Sequence, residues 1–257
     1  MVTYDRKAAQ NTERTYLTPE IIRQRSLTLE AMALQAGEQV LDAGCGTGLL
    51  LEQMARSVGD SGQVVGVDYS PDMLDMARHR CRDLGNVELQ KGSVEQLDFE
   101  AERFDVVSCT QTLLYVEQVE TALGEIHRVL KQHGRVAILE TDWSGVVFNS
   151  PDESLTRRIL SAWDNAVESP NLPAKLGRLL RNLNFNAIRV EAIPILNTSD
   201  SGNSFSSMMF KGFLENAVKH GAITRQECDQ WQQQVRELVQ NNAYFFCVNR
   251  FLFTAVK

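Results

Sequence analysis

No run of this chain approaches the ~20 consecutive apolar residues that a bilayer-spanning helix needs, so no membrane span is expected. The opening residues Met1-Val2-Thr3-Tyr4-Asp5-Arg6-Lys7 lack the apolar core of a secretory signal. Basic charge is scarce as well: 26 Lys and Arg stand against 33 Asp and Glu, a net charge of −7. Phosphate backbones demand concentrated positive surface, so no nucleic-acid partner is expected. The clusters Arg78-His79-Arg80 and Arg178 with Arg181 fall at helical spacing and read as solvated faces. Disulfide and metal signals are missing too. Cys45, Cys81, Cys109, Cys228 and Cys247 form no C-x-x-C pair and stand at no ligand-like spacing from the four histidines. That usage fits free thiols in a reducing compartment, hence a cytoplasmic protein without a metal. Repeats and low-complexity tracts are absent.

What is present suffices for a large core. The chain has 257 residues, 43% hydrophobic and 23% charged, room for one domain or one domain with a cap. Its most informative stretch is Val40-Leu41-Asp42-Ala43-Gly44-Cys45-Gly46-Thr47-Gly48, followed by a helical run from Leu49 to Ser57. A short apolar strand enters a glycine-rich turn, and the turn opens a helix whose free N–H groups favour polar ligand atoms. Glycines there let the backbone approach a ligand closely. A dinucleotide fingerprint, G-x-G-x-x-G, would place its third glycine at position 49, where Leu49 stands. A second strand, Val64 to Asp68, ends in an acid twenty residues past Gly48, placed to accept the hydroxyl protons of a ribose. A ribose clamp without a pyrophosphate seat suits S-adenosylmethionine better than NAD.

Strands and helices then alternate, the mark of a parallel sheet with crossover helices. Strands are predicted near 39–43, 64–68, 86–90, 104–109 and 134–140, and helices near 48–57, 71–84 and 118–131. Beyond them the pattern predicts helices over 152–168 and 176–183, a strand over 185–195, helices over 205–219 and 224–240, and a closing strand over 243–256. Thr18-Pro19-Glu20 reads as a helix start, with that helix running to about Gln35, while residues 1–17 read as an unpatterned polar arm.

These residues resemble the class I S-adenosylmethionine-dependent methyltransferases, in the small-molecule group of ubiquinone- and menaquinone-methyltransferase-like (type 11) enzymes. The resemblance rests on Val40 to Gly48, Val64 to Leu74, Gly92 to Leu97, Phe104 to Ser108 and Leu123 to Glu140, in order over roughly residues 38–142. It implies a Rossmann-like, doubly wound sheet of seven mostly parallel strands with the last antiparallel beside the fifth. An N-terminal arm and lid helix (1–36) would precede a single methyltransferase domain (37–257) carrying a helical cap at about 197–242.

The resemblance also implies roles. Asp42, Gly44, Cys45, Gly46 and Gly48 would surround the methionine part of the cofactor, with Asp42 orienting its ammonium. Asp68 would hold the ribose, and Tyr69 and Met73 would flank the adenine. Gly92-Ser93-Val94 occupies the place where many relatives carry an acid for the adenine amino group; here that residue is Ser93. Thr110 and Gln111 would accept a hydrogen bond from the cofactor's amino end or position the nucleophile. Tyr115 is either a substrate wall or a core aromatic. Asp142 would serve as base or as anchor for a substrate amine, and Trp143 would face the same cleft. Within the cap, Phe205, Met208, Met209, Phe210 and Phe213 are expected mostly to pack, with one or two reaching the pocket. Tyr16 is expected in a lid over the cofactor.

Among the histidines, His79 and His127 fall on crossover helices and His133 in the turn before strand five. His220, at the end of a cap helix, is the one expected near a pocket; none is expected to act in catalysis. The expected activity is methyl transfer from S-adenosylmethionine to the O, N or C atom of a small organic acceptor, leaving S-adenosylhomocysteine. Two other readings stay open at this point: a cofactor-binding protein without catalysis, and a nicotinamide-dependent oxidoreductase, against which the missing Tyr-x-x-x-Lys counts. Oligomeric state has no signature in the sequence.

Overall fold

The central strands of the sheet are rich in Val and Leu and bury most of their side chains, because parallel strands there are covered on both faces. The computed structural model describes residues 5–200 and 202–257. Strands β1 (Gln39–Ala43), β2 (Gln63–Asp68), β3 (Val87–Lys91) and β4 (Phe104–Thr110) pair in parallel, with β5 (Leu130–Thr141) beside β4. Val40, Leu41, Val64, Val65, Val106 and Val107 are fully buried. β8 (Phe246–Val256) runs antiparallel between β5 and β7 (Asn186–Asn197), giving the order β3-β2-β1-β4-β5-β8 with β7 on the far side of β8. The expected seven strands are all there, and the last is antiparallel beside the fifth. An eighth, the two-residue β6 (Val147–Phe148), pairs with Cys247 and Phe246 beyond the end of β5.

Helices α3 (Leu49–Val58), α4 (Pro71–Cys81) and α5 (Val119–Val129) cross between the parallel strands. The start of α4 is built from Ser70, whose hydroxyl accepts the Met73 N–H, and from Pro71 at its first turn. α2 (Pro19–Met32) opens at Thr18 as expected. The predicted unpatterned arm is corrected: Arg6–Tyr16 is a helix, α1, capped by the Asp5 carboxylate, which accepts from Ala8 N–H at 2.8 Å. A polar run hid it, since Ala9 is its one buried residue. Residues 1–4 of that arm lie outside the described residues.

Helices α6 (Glu153–Asp164), α8 (Phe205–Lys219) and α9 (Arg225–Gln240) pack on one another, with α7 (Pro173–Asn182) against β8. The core they share is aromatic. Trp143 packs edge-on to Trp163 and Phe213, and Phe210 meets Phe148, Phe213, Trp231 and Phe246. Trp143 was expected to face the cleft; its ring is instead in this cluster, where apolar burial outweighs exposing an indole to a wet site. Among the described residues no helix is long and apolar enough to cross a membrane.

Candidate functional site

The order β2-β1-β4 reverses direction at β1, and ligands of such sheets lie beyond the carboxyl ends of the strands at that switch point. A cavity with about 1200 Å³ of empty space, part of it open to solvent, sits there. Its floor is the glycine loop. Gly44 and Cys45 donate their N–H groups to the Val67 carbonyl at 2.7 and 2.9 Å, which pins the loop to β2. Gly44 takes φ +84°, and a Cβ there would overlap the side chain of Thr112. Gly46 takes φ +53°, with nothing within 4 Å of where its Cβ would stand. Gly48 also has positive φ, and a Cβ there would stand only 3.0 Å from that of Ala77 on α4. Only a loop of this composition adopts those angles without strain while keeping its surface open to a ligand.

Asp68, at the end of β2, is tied to the same loop. One carboxylate oxygen accepts the Gly46 N–H at 2.9 Å and the other the Ser70 N–H at 2.9 Å. Burial raises its pKa, opposed by those backbone bonds. Asp42 is buried more deeply, accepts from the Ser108 hydroxyl at 2.5 Å, and is pushed up to about 7 by burial, with the Ser108 bond opposing and Asp68 adding to the shift. A cation entering beside these two carboxyls would restore their ionised forms. Cys45 and Cys109 are driven the other way from reactivity, since burial raises both thiols well above their ordinary range.

Across the cavity, β4 ends in Thr110 and the left-handed Gln111. The Gln111 amide is anchored: its Nε2 donates to the Leu139 carbonyl at 3.2 Å, and its Oε1 accepts from the Thr141 hydroxyl at 2.5 Å. Behind it Glu140 is fully buried and accepts the N–H groups of Thr112 and Leu113 at 3.1 and 2.8 Å. Burial pushes its carboxyl up to about 8, against those bonds and the charge of Arg250.

The cavity lining brings together most of the residues singled out from the sequence: Asp42, Gly44, Cys45, Gly46, Asp68, Tyr69, Met73, Gly92, Ser93, Val94, Thr110, Gln111 and Tyr115. Gly48 sits behind the loop, and Asp142 lies outside the lining, where Ser144 and Gly145 N–H groups bond its carboxylate. None of Phe205, Met208, Met209, Phe210 and Phe213 lines the cavity, so the cap cluster packs and the expectation that one or two would reach the pocket is corrected. His220 does not line it either. Tyr16 does.

Several lining residues were not singled out from the sequence. Thr12, Gln24 and Arg25 come from α1 and α2, Glu95 from the turn after β3, and Arg250 from β8. Ser93 folds its hydroxyl into its own turn, accepting the Glu95 N–H at 3.2 Å, so the carboxylate missing at Ser93 stands two residues later. A search for an acid within two residues of the motif would have found it. Arg250 could be found only through the pairing of β8 with β5. Among the described residues no group of His, Cys, Asp and Glu is placed to hold a metal ion.

Similarity to known proteins agrees with this geometry. Residues 34–242 match the family model described as a methyltransferase domain, and the chain belongs to that family. An uncharacterized 37.1 kDa protein in transposon TN4556 of Streptomyces fradiae is 29% identical over 80% of this chain and 60% of its own length. A demethylmenaquinone methyltransferase of Oceanobacillus iheyensis is 38% identical over 46% of this chain and 50% of its own. This chain thus spans between half and 60% of those relatives. Phosphoethanolamine N-methyltransferase 2 of Haemonchus contortus, solved with S-adenosyl-L-methionine, shares the fold at TM-score 0.65 and 20% identity, covering 99% of this chain and 57% of that one.

Proposed function

We propose that the chain transfers a methyl group from S-adenosylmethionine to a small organic acceptor and leaves S-adenosylhomocysteine. The observation that carries this reading is the Asp68 carboxylate, bonded to the Gly46 N–H and lining the same cavity as the glycine loop. The donor set fits the cofactor: a carboxylate for two ribose hydroxyls, open space at Gly46 for close backbone approach, and a buried acid at Asp42 for an ammonium. When bound, the cofactor would supply an electrophilic methyl on a sulfonium, with S-adenosylhomocysteine as its leaving group.

The protein's part is alignment, which supplies most of the acceleration of an in-line displacement. Gly44, Cys45, Gly46 and Asp42 hold the methionine end, with Gly48 shaping the loop from behind. Asp68 orients the ribose, while Tyr69 and Met73 flank the adenine and Gly92, Ser93 and Val94 border its edge. Thr110 and the anchored Gln111 face the reacting centre, with Tyr115 on the acceptor side. Residues 1–36 act as arm and lid helix, a role supported by Thr12, Tyr16, Ile21, Gln24 and Arg25 in the lining. Residues 37–257 are then one domain, with 197–242 its cap. Free cysteines support a cytoplasmic setting. The match to a demethylmenaquinone methyltransferase covers too little of this chain to carry its acceptor across.

Calorimetric titration with S-adenosylmethionine, S-adenosylhomocysteine and NAD, on the wild type and on Asp68→Ala, tests the reading. Binding of both adenosyl ligands, weakened at least tenfold by loss of a charge-assisted contact worth about 1.5–3 kcal/mol, is the expected result. Binding of NAD alone refutes it. Turnover across an acceptor panel separates catalysis from bare cofactor binding.

A further inference from the structure

Two arginines line the cavity. Arg25 donates to the Tyr16 carbonyl at 3.0 Å and feels the charges of Arg80 and Glu52; Arg80 in turn donates to the Thr47 carbonyl, on the glycine-loop side. Arg250 is on β8, opposite Thr141 at the end of β5. From β1 to β8 there are three strand steps, about 14 Å at ~4.8 Å per strand. Arg250 is therefore beyond the reacting centre, on the side left for the acceptor.

Its surroundings are unusual for a cation. Arg250 is 2% exposed, and its Nη1 donates to the Gln24 side-chain oxygen. Its Nε has no partner, and the guanidinium lies 5.1 Å from the Phe205 ring centroid and 5.9 Å from that of Tyr16. Among the described residues it makes no ion pair with a carboxylate. Glu140, a buried acid whose charge acts on it, turns one oxygen to the Thr112 and Leu113 N–H groups, and its other oxygen has no partner. A buried charge is costly unless an opposite charge meets it, and an arginine fork matches a carboxylate in shape as well as charge. Ile21, Val116, Tyr16 and Tyr115 supply apolar and aromatic walls on the same cavity.

We propose that the methyl acceptor carries a carboxylate that pairs with Arg250, its carbon skeleton against Ile21 and Val116 and its nucleophilic atom toward Thr110. This rests on the methyltransferase reading above. A phosphate dianion fits less well, since Arg250 offers one fork and the other arginine of the cavity, Arg25, is turned to the Tyr16 carbonyl.

The probe is benzoate, with benzamide as its neutral isostere and phenyl phosphate as the dianion, titrated by ligand-observed NMR onto protein with and without S-adenosylhomocysteine. Benzoate should bind the wild type at least about tenfold more tightly than benzamide, a difference of one charge-assisted contact. Arg250→Gln should remove that preference while leaving S-adenosylhomocysteine affinity within about threefold, and Arg250→Lys, which keeps the charge but loses the fork, should fall between. Equal binding of benzoate and benzamide by the wild type, or no benzoate binding, overturns the proposal without needing any variant. So does a preference for phenyl phosphate, or a loss of S-adenosylhomocysteine affinity in Arg250→Gln matching the loss of benzoate. Failure of S-adenosylhomocysteine to bind the wild type would instead count against the methyltransferase reading, and benzoate would still be read on the cofactor-free protein.

Discussion

Gly44→Ala should be among the most damaging single-methyl changes in this chain, and the structure says where the damage comes from. Gly44 takes φ +84°, and the added Cβ would stand 2.2 Å from Thr112 Oγ1, 2.6 Å from its Cγ2 and 2.9 Å from its Cβ. Placing an L-residue in that backbone region costs about 1–2 kcal/mol. Overpacking adds about 1–3 kcal/mol. Rotation of Thr112 cannot clear the overlap, because its Cβ is itself too close and its N–H is held by Glu140 at 3.1 Å. The sum, about 2–5 kcal/mol, is a large part of the 5–15 kcal/mol that typically holds a domain together. Thr112→Ala removes two of the three overlapping atoms and one hydroxyl bond to the Thr110 carbonyl, at about 1 kcal/mol alone. The double variant should then recover part of the loss, with a coupling energy of about 1–2 kcal/mol. Urea unfolding of wild type, both single variants and the double variant measures it. Strict additivity would refute the argument, since it would mean that the clash is not where the damage arises.

Gly46→Ala is the complementary case: with open space around its Cβ, it should cost only about 1 kcal/mol of stability from its positive φ, yet weaken S-adenosylhomocysteine at least tenfold. Wild-type affinity in a folded Gly46→Ala protein would place the cofactor elsewhere. Glu140 keeps its proton in the folded state up to about pH 8, whereas the unfolded chain gives it up near its ordinary value; its contribution to stability is therefore lost as pH rises across that window. Glu140→Gln should reduce the fall in urea stability between pH 5 and 8 by up to about 1.4 kcal/mol per pH unit, and an unchanged slope would show that this carboxyl does not titrate as described. Asp142→Asn, outside the cavity lining, should change the barrier by less than about 1 kcal/mol, roughly fivefold in turnover; a loss of several hundredfold would put Asp142 back among the reacting groups.

Around the glycine loop, sequence and structure agree because the information is local, whereas the polar α1, with Ala9 its one buried residue, left no apolar pattern to read. The glycine loop, the acid ending β2, the Ser-Pro start of α4 and the alternation of strand and helix are each decided within ten residues, by backbone angles and by burial on both faces of a parallel strand. The loop side of the cavity is of this kind, so the meeting of Asp42, Gly44, Gly46 and Asp68 around one cavity was legible. The opposite side, around Arg250, is not. Gln24 and Arg250 meet across 226 positions of sequence, and the meeting depends on the antiparallel register that sets Arg250 opposite Thr141. A slip of one residue in that register would turn Arg250 to the other face of the sheet, and no local pattern fixes it. Within its own strand, Phe246 to Val256, Arg250 is the one charged residue and follows Asn249, where a lone charge would ordinarily be taken for the exposed face. Its burial follows only once α2 covers that end of the sheet and Gln24 comes to meet it. On the proposed acceptor site, acceptor choice would then change by substitutions on α1, α2 and β8 without touching the loop, and the residues proposed to decide specificity are those a linear reading sees least.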